Sequence, residues 1–225
     1  MVFERLMRLI ILLTGTLNIN KIHAQTDVLI DPRDGKEYKV VEIGSQIWMA
    51  ENLKYVDTIA HLFSPHRYNT RHFARTFEDY QTIPQFNSSL IYCYDDARVS
   101  CEKLGMLYTW KAAMNACPVG WHLPSDEEFK QLLLTVERSE KKDIMQHLVK
   151  GGTSGFEALY GGYLLVHGVS NGSTFICRGE MAGFGTSTAN SKYATKYFKI
   201  RRKAYIAKSV NNDAFSVRCI KNSID

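Results

Sequence analysis

The stretch Cys117-Pro118-Val119-Gly120-Trp121-His122-Leu123-Pro124-Ser125-Asp126-Glu127-Glu128-Phe129 sets a cysteine, an aromatic and a complete helix-start signal close together. Ser125 stands where a side-chain oxygen can cap a helix, and Glu128, three residues on, can reach back to the cap N–H. Phe129, Leu132, Leu133 and Val136 then follow at the spacing of one helical face. The pattern predicts a helix that starts at Ser125, runs to about Arg138 and buries that face. It constrains architecture rather than chemistry.

The N-terminus stands apart from the rest. Arg5 and Arg8 make a basic start, Leu9 to Leu13 with Leu17 make a short apolar run, and Ile22-His23-Ala24 ends on a small residue before Gln25. That order predicts a signal peptide over residues 1–24 and a single exported domain over 25–225. The apolar run is too short to span a bilayer and no later segment is long enough, so no transmembrane segment is expected. With 225 residues, 45% of them hydrophobic and 23% charged, the chain can bury one sizeable core.

The formal net charge is +5, and removing the leader takes away Arg5, Arg8, Lys21 and Glu4, which leaves a mild positive excess. One basic cluster, Lys192, Lys196, Lys199, Arg201, Arg202, Lys203 and Lys208, could meet an anionic polymer. Lysines on the solvent faces of edge strands explain it as well. It lacks the aromatic platform that single-stranded nucleic acid requires, so no nucleic-acid partner is expected.

Along the chain, Val28-Leu29-Ile30, the turn Asp31-Pro32-Arg33-Asp34-Gly35 and Glu37 to Ile43 read as a hairpin. Ile47-Trp48-Met49 reads as an apolar triplet packed under its sheet. Residues 56–91 are polar and aperiodic and read as a long surface excursion. Its histidines His61, His66 and His72 lie among Arg67, Arg71 and Arg75, which disfavours a bound cation, and no metal or other cofactor is expected. Asp95 to Cys117 reads as helical, with Leu107, Trp110 and Met114 on one side and Ala112, Ala113 and Ala116 favouring a helix. Lys141 to Lys150 reads as a further helical segment broken by Gly151-Gly152. Beyond it the composition shifts to sheet, with strands at Tyr197–Ile200, Ala204–Ala207 and Phe215–Ile220 and a turn at Asn211-Asn212-Asp213.

Five cysteines in an exported chain imply two disulfides and one thiol. Cys93 and Cys101 flank a helix start and suit a local staple. Cys117 and Cys219 would close a loop of about one hundred residues, worth roughly 4 to 5 kcal/mol in the chain-entropy model. Cys177 is then left over, and its surroundings in sequence supply no base to activate it, although Arg178 lies beside it.

Trp48-Met49-Ala50-Glu51-Asn52-Leu53, Gly105 with Leu107-Tyr108-Thr109-Trp110, Cys117 to Phe129, Gly155-Phe156 with Gly161-Gly162-Tyr163, and Phe215 to Cys219 together resemble the Fibrobacter succinogenes major paralogous domain family over residues 28–221. The resemblance implies an α+β, C-type lectin-like fold, clamped by disulfides, with two main helices, short antiparallel sheets and long loops. It also implies a core built on Trp48, Trp110, Trp121, Phe129, Phe156 and Phe215. One departure is Ala182 to Thr188, where the family carries a tryptophan-rich run. Leu123 to Phe129 and Val217-Arg218-Cys219 are also similar to scaffold stretches of formylglycine-generating enzymes, whose closely spaced cysteine pair has no counterpart here. The Glu-Pro-Asn and Trp-Asn-Asp triplets of calcium-dependent lectins are absent from the sequence.

No catalytic residue is therefore assigned, and fold analogy alone establishes no function. The first expectation is an exported, non-enzymatic surface or secreted module that binds a glycan or an envelope protein through loops 56–91 and 165–192. The second is a structural subunit of a cell-surface assembly, and the third a thiol-dependent enzyme using Cys177.

Overall fold

A computed structural model describes residues 27–56, 61–62, 89–139, 143–166 and 173–223. The leader read over residues 1–24, the positions His66, His72, Arg67, Arg71 and Arg75, and most of the 56–91 excursion lie outside these residues. The described fold is mixed α+β, mostly sheet with a few helices and two disulfides. Among the described residues no helix is long and apolar enough to cross a membrane.

The predicted hairpin is present: β1 (Asp27–Ile30) pairs antiparallel with β2 (Glu37–Ile43). The triplet Ile47-Trp48-Met49 lies in the sheet rather than beneath it, because β3 (Gln46–Met49) continues the meander and sets Val41 opposite Trp48. His61–Leu62 forms β4, parallel to β5 (Leu90–Tyr92).

The region from Asp95 to Cys117 differs from its helical reading. A 3-10 turn at Tyr94–Asp96 leads into α1 (Arg98–Leu104), then β6 (Leu107–Thr109), and only Trp110–Ala113 forms a further short helix, α2. Gly105, at φ 78°, ends α1. Leu107, Tyr108 and Thr109 are all buried between β5 and the penultimate strand, and this pairing overrides the helical spacing of Leu107 and Trp110.

After β7 (Trp121–His122), α3 (Asp126–Ser139) begins where the capping signal placed it. Ser125 Oγ accepts the Glu128 N–H at 3.2 Å, and Glu128 Oε2 accepts the Ser125 N–H at 2.7 Å. The next segment is α4 (Ile144–Leu148). The strands β8 (Tyr163–Val166), β9 (Ser173–Ile176), β10 (Ala182–Ser191), β11 (Ala194–Ile200), β12 (Ala204–Val210), β13 (Ala214–Ser216) and β14 (Ile220–Lys221) complete the chain.

The expected strand Phe215–Ile220 is in fact two. β13 sits inside a sheet ordered β12-β11-β10-β13-β6-β5-β4, with β8 and β9 branching from β13. β14 sits between β3 and β7 in a sheet ordered β1-β2-β3-β14-β7. Cys219 thus lies between strands, in the three-residue crossing Val217-Arg218-Cys219, which is wholly buried. Leu53 N–H donates to the Val217 carbonyl and Met49 N–H to the Cys219 carbonyl, so the crossing is bonded along its length.

α3 wedges between the two sheets. Phe129, Leu132 and Val136 meet Val41, Ile43 and Trp48 of one sheet and Ala182, Phe184, Phe198 and Ile200 of the other. Phe129 lies 5.1 Å from Trp48 and 4.6 Å from Phe198 between ring centres, distances at which aromatic pairs attract. Phe156 closes the same cluster, and Phe215 stacks between Tyr163 and Tyr197 in a separate one. Trp110 and Trp121 are only half-buried, which corrects their assignment to the core. Trp110 is instead held by its indole N–H, which donates to the Thr186 carbonyl at 3.1 Å.

Cys93 is bonded to Cys101, with Cα atoms 5.1 Å apart, and Cys117 to Cys219, with Cα atoms 5.8 Å apart. The second bridge ties the entry to α3 to the buried crossing. Arg33 of the first hairpin reinforces the same place, donating to the Ala116 carbonyl while its guanidinium stacks 3.5 Å from the Tyr55 ring centre.

Asp126 fixes the start of α3 to β10 and β11. Its carboxylate accepts from Thr188 Oγ1 at 2.9 Å and from Lys196 Nζ at 2.6 Å. Burial opposes its ionisation, but the Lys196 and Thr188 bonds and the charge of Lys130 outweigh that and hold its pKa at about 2. An unfolded aspartate titrates near pH 3.9, so this contribution is complete above about pH 4 and is lost as pH falls toward 2. Asp126→Asn is expected to flatten the acid limb of stability against pH, and an acid limb unchanged from wild type in urea melts at several pH values would count against it. In the core, Trp48→Ala should cost about 3 to 5 kcal/mol. Trp121→Ala should cost less than about half as much, since less of it leaves water on folding; equal costs by denaturant unfolding would contradict the burial difference.

Candidate functional site

Asn52 organises the most site-like region of the molecule. Its side-chain amide donates to the Leu104 carbonyl at 2.7 Å and to Ser216 Oγ at 3.2 Å, and its Oδ1 accepts from Arg218 Nε at 2.9 Å. One side chain thus joins the segment after β3, the end of α1 and the crossing strand. Gly105 permits the approach: a Cβ there would lie 2.5 Å from Asn52 Cβ.

Arg218 is fully buried behind Asn52. Its Nη2 donates to the Glu157 carbonyl at 2.7 Å, and its guanidinium lies 4.6 Å from the Phe156 ring centre and 5.2 Å from that of Phe184. It has no carboxylate partner among the described residues, and Nη1 has no hydrogen-bond partner. Burial pushes its pKa down to about 9, opposed by the charges of Glu157 and Glu51, so it remains a cation at neutral pH. Glu157 is held in the left-handed region, at φ 53°, with its carbonyl on Arg218 and its carboxylate accepting the Gly151 N–H.

In front of this wall opens a cleft of about 510 Å³. Lys39 from β2, Lys54 from the segment after β3, Lys103 from α1 and Lys150 from the turn after α4 bring four lysines to its lining. Glu51 and Glu157 add two carboxylates, and Leu104 and Leu159 add apolar surface. None of the four lysines forms an ion pair among the described residues. Glu51 Oε2 instead accepts the backbone N–H of Lys39 at 3.0 Å.

Sequence reasoning did not find this cleft. Its lysines come from four separate segments and share no local spacing. Asn52, Gly105 and Gly155 stand in stretches that carry the family resemblance and Arg218 in one read as scaffold, with no site role given to any of them. The signal available was Arg218 itself, a cation between Val217 and Cys219 in a strand otherwise read as core.

Cys177 lies elsewhere, half-buried at φ 61° beside Met181, Tyr197 and Phe215. Arg178 is turned toward Asp95, at 3.5 Å, and the Tyr94 ring. Among the described residues no three His, Cys, Asp or Glu side chains converge as a metal site.

The Fibrobacter succinogenes major domain matches residues 41–221 of the chain. The chain belongs to this family. Every residue lining the cleft except Lys39 lies within the matched Fibrobacter succinogenes major domain. No curated protein and no solved structure matches the chain significantly.

Arg218→Lys keeps the charge but loses the planar fork, leaving one of two buried acceptors without its donor. Its expected cost is about 2 to 4 kcal/mol, combining an orphaned acceptor with weaker stacking. A urea midpoint equal to that of wild type would show that the fork does not hold the wall.

Proposed function

We propose that the chain is an exported, non-enzymatic binding module of C-type lectin-like fold that takes a glycan or an envelope protein at its surface. The observation that carries this reading is the lysine-lined cleft: it is open and polar, its four lysines have no ion-pair partner among the described residues, and its one hydroxyl side chain, Thr153, is engaged by His147 Nδ1 at 2.6 Å. Such a lining suits recognition better than covalent chemistry. The free thiol of Cys177 is not among the lining residues. Two disulfides fit an oxidising compartment, in keeping with the signal-like order of residues 1–24.

The original expectation placed binding in loops 56–91 and 165–192. The cleft draws on other segments: β2, the segment after β3, the end of α1, and the turn after α4. A second reading, the structural subunit of a surface assembly, draws support from β1. That strand ends its sheet among the described residues, and Val28 and Ile30 are 56% and 59% exposed on it. An open edge with apolar side chains is a joining surface.

The binding reading is tested by applying the chain lacking residues 1–24, as wild type and as Cys177→Ser, to a glycan array. Both are expected to capture the same glycans. Loss of an activity in Cys177→Ser, with melting unchanged, would instead make the thiol the functional group.

A further inference from the structure

Resting on the binding-module reading above, we propose that the cleft in front of Arg218 is a subsite for an acidic polysaccharide, a sugar chain that carries carboxylate or sulfate groups among free hydroxyls. The first support is where positive charge is left unspent. In the basic cluster around β11 and β12, Lys196 is bonded to Asp126 and Arg201 to Glu180, and Lys192 and Lys199 lie over the rings of Tyr193 and Tyr205, while Arg202, Lys203 and Lys208, without such a partner among the described residues, stand on the turn after β11 and on the edge strand β12, outside the cleft. In the cleft, Lys39, Lys54, Lys103 and Lys150 have no such partner among the described residues, and Arg218 adds a fixed charge behind the wall with no carboxylate of its own. A concave surface with low-dielectric walls focuses that charge onto whatever enters it.

The second support is the pair of carboxylates within the same lining. A phosphate chain or nucleic acid offers mainly anionic acceptors to a protein, and Glu51 and Glu157 would repel it. A sugar acid offers hydroxyl donors as well, which these carboxylates can accept, since each has several lone pairs and only part of them engaged by backbone N–H groups. The mixture of four lysines, two glutamates and the apolar residues Leu104 and Leu159 in the lining therefore matches an acidic sugar better than a simple polyanion. The volume, about 510 Å³, falls within the range of small-ligand clefts.

The test is biolayer interferometry on the chain lacking residues 1–24, against immobilised polygalacturonate, dextran sulfate, neutral dextran, polyphosphate and polyglutamate. The expected result is binding to polygalacturonate or dextran sulfate, and which of the two binds identifies the acid group. Binding should weaken at high salt. Lys103→Gln/Lys150→Gln should lose about tenfold in affinity, the equivalent of about 1.4 kcal/mol. Lys203→Gln/Lys208→Gln, in the other basic cluster, should change affinity less than about twofold, within the spread of exposed charges. Both double variants are checked for wild-type melting, and single Lys103→Gln replaces the pair if it fails to fold. Equal loss in the two double variants, no binding to either acidic polysaccharide, or binding to polyphosphate and polyglutamate as tight as to the acidic sugars overturns the proposal. Binding to dextran alone overturns it while leaving the module reading in place.

Discussion

A guanidinium buried without a carboxylate is the constraint around which this structure is arranged. Removing Arg218 from water is costly, and no ion pair among the described residues offsets that cost. What offsets it is geometric: two aromatic faces, Phe156 and Phe184, and two well-placed acceptors, Asn52 Oδ1 and the Glu157 carbonyl. They come from three segments, so satisfying one cation fixes the chain after β3, the turn after α4 and strand β10 against the crossing. The left-handed backbone at Glu157, a strain on the order of 1 to 3 kcal/mol, is held because the carbonyl must meet Arg218 while the carboxylate meets Gly151.

The same crossing explains the disulfide and the order of the sheets. β13 lies in the interior of one sheet and β14 in the interior of the other, so the chain passes from core to core within Val217-Arg218-Cys219. A strand inserted between β3 and β7 near the end of the sequence closes contacts with residues about one hundred positions earlier or more, which is slow and entropically costly. Cys117 to Cys219 limits that loss in the unfolded chain and sits at the crossing. The α3 wedge then presses Phe129 against aromatic rings from both sheets.

How much of this was legible in the sequence depended on how local each signal is. Ser125 and Glu128 specify a helix start by bonds they make to each other's backbone, and the structure contains those bonds. The hairpin of β1 and β2 was likewise carried by its own turn. Leu107 to Thr109 was misread because strand pairing with β5 and β13 is a tertiary fact that outweighs helical spacing. β10 was not read as a strand at all: Ala182-Gly183-Phe184-Gly185 has little β-propensity, and Gly183 is required by a close neighbour, a Cβ there falling 2.9 Å from the Phe215 ring. The half-burial of Trp110 and Trp121 was hidden for a similar reason, since apolar neighbours in sequence do not state which side the fold covers. The cleft was least legible, because its four lysines meet only after β2, α1 and the turn after α4 are in place.

The division between rigid wall and loose lysines bears on how such a cleft would bind. Asn52, Gly105, Glu157 and Arg218 are locked by hydrogen bonds and close packing, so the floor needs little reorganisation to receive a ligand. The ammonium groups are different: Lys39, Lys103 and Lys150 are exposed, and each gives up side-chain freedom of roughly 1 to 2 kcal/mol when it is held. That loss offsets much of the gain from each contact with a solvated anion. A single acidic group would thus be held weakly. A polymer that presents the group repeatedly keeps the next copy at high local concentration and recovers occupancy without any new kind of contact. A rigid floor, exposed lysines and an open mouth would therefore favour a repeating chain over a small free acid.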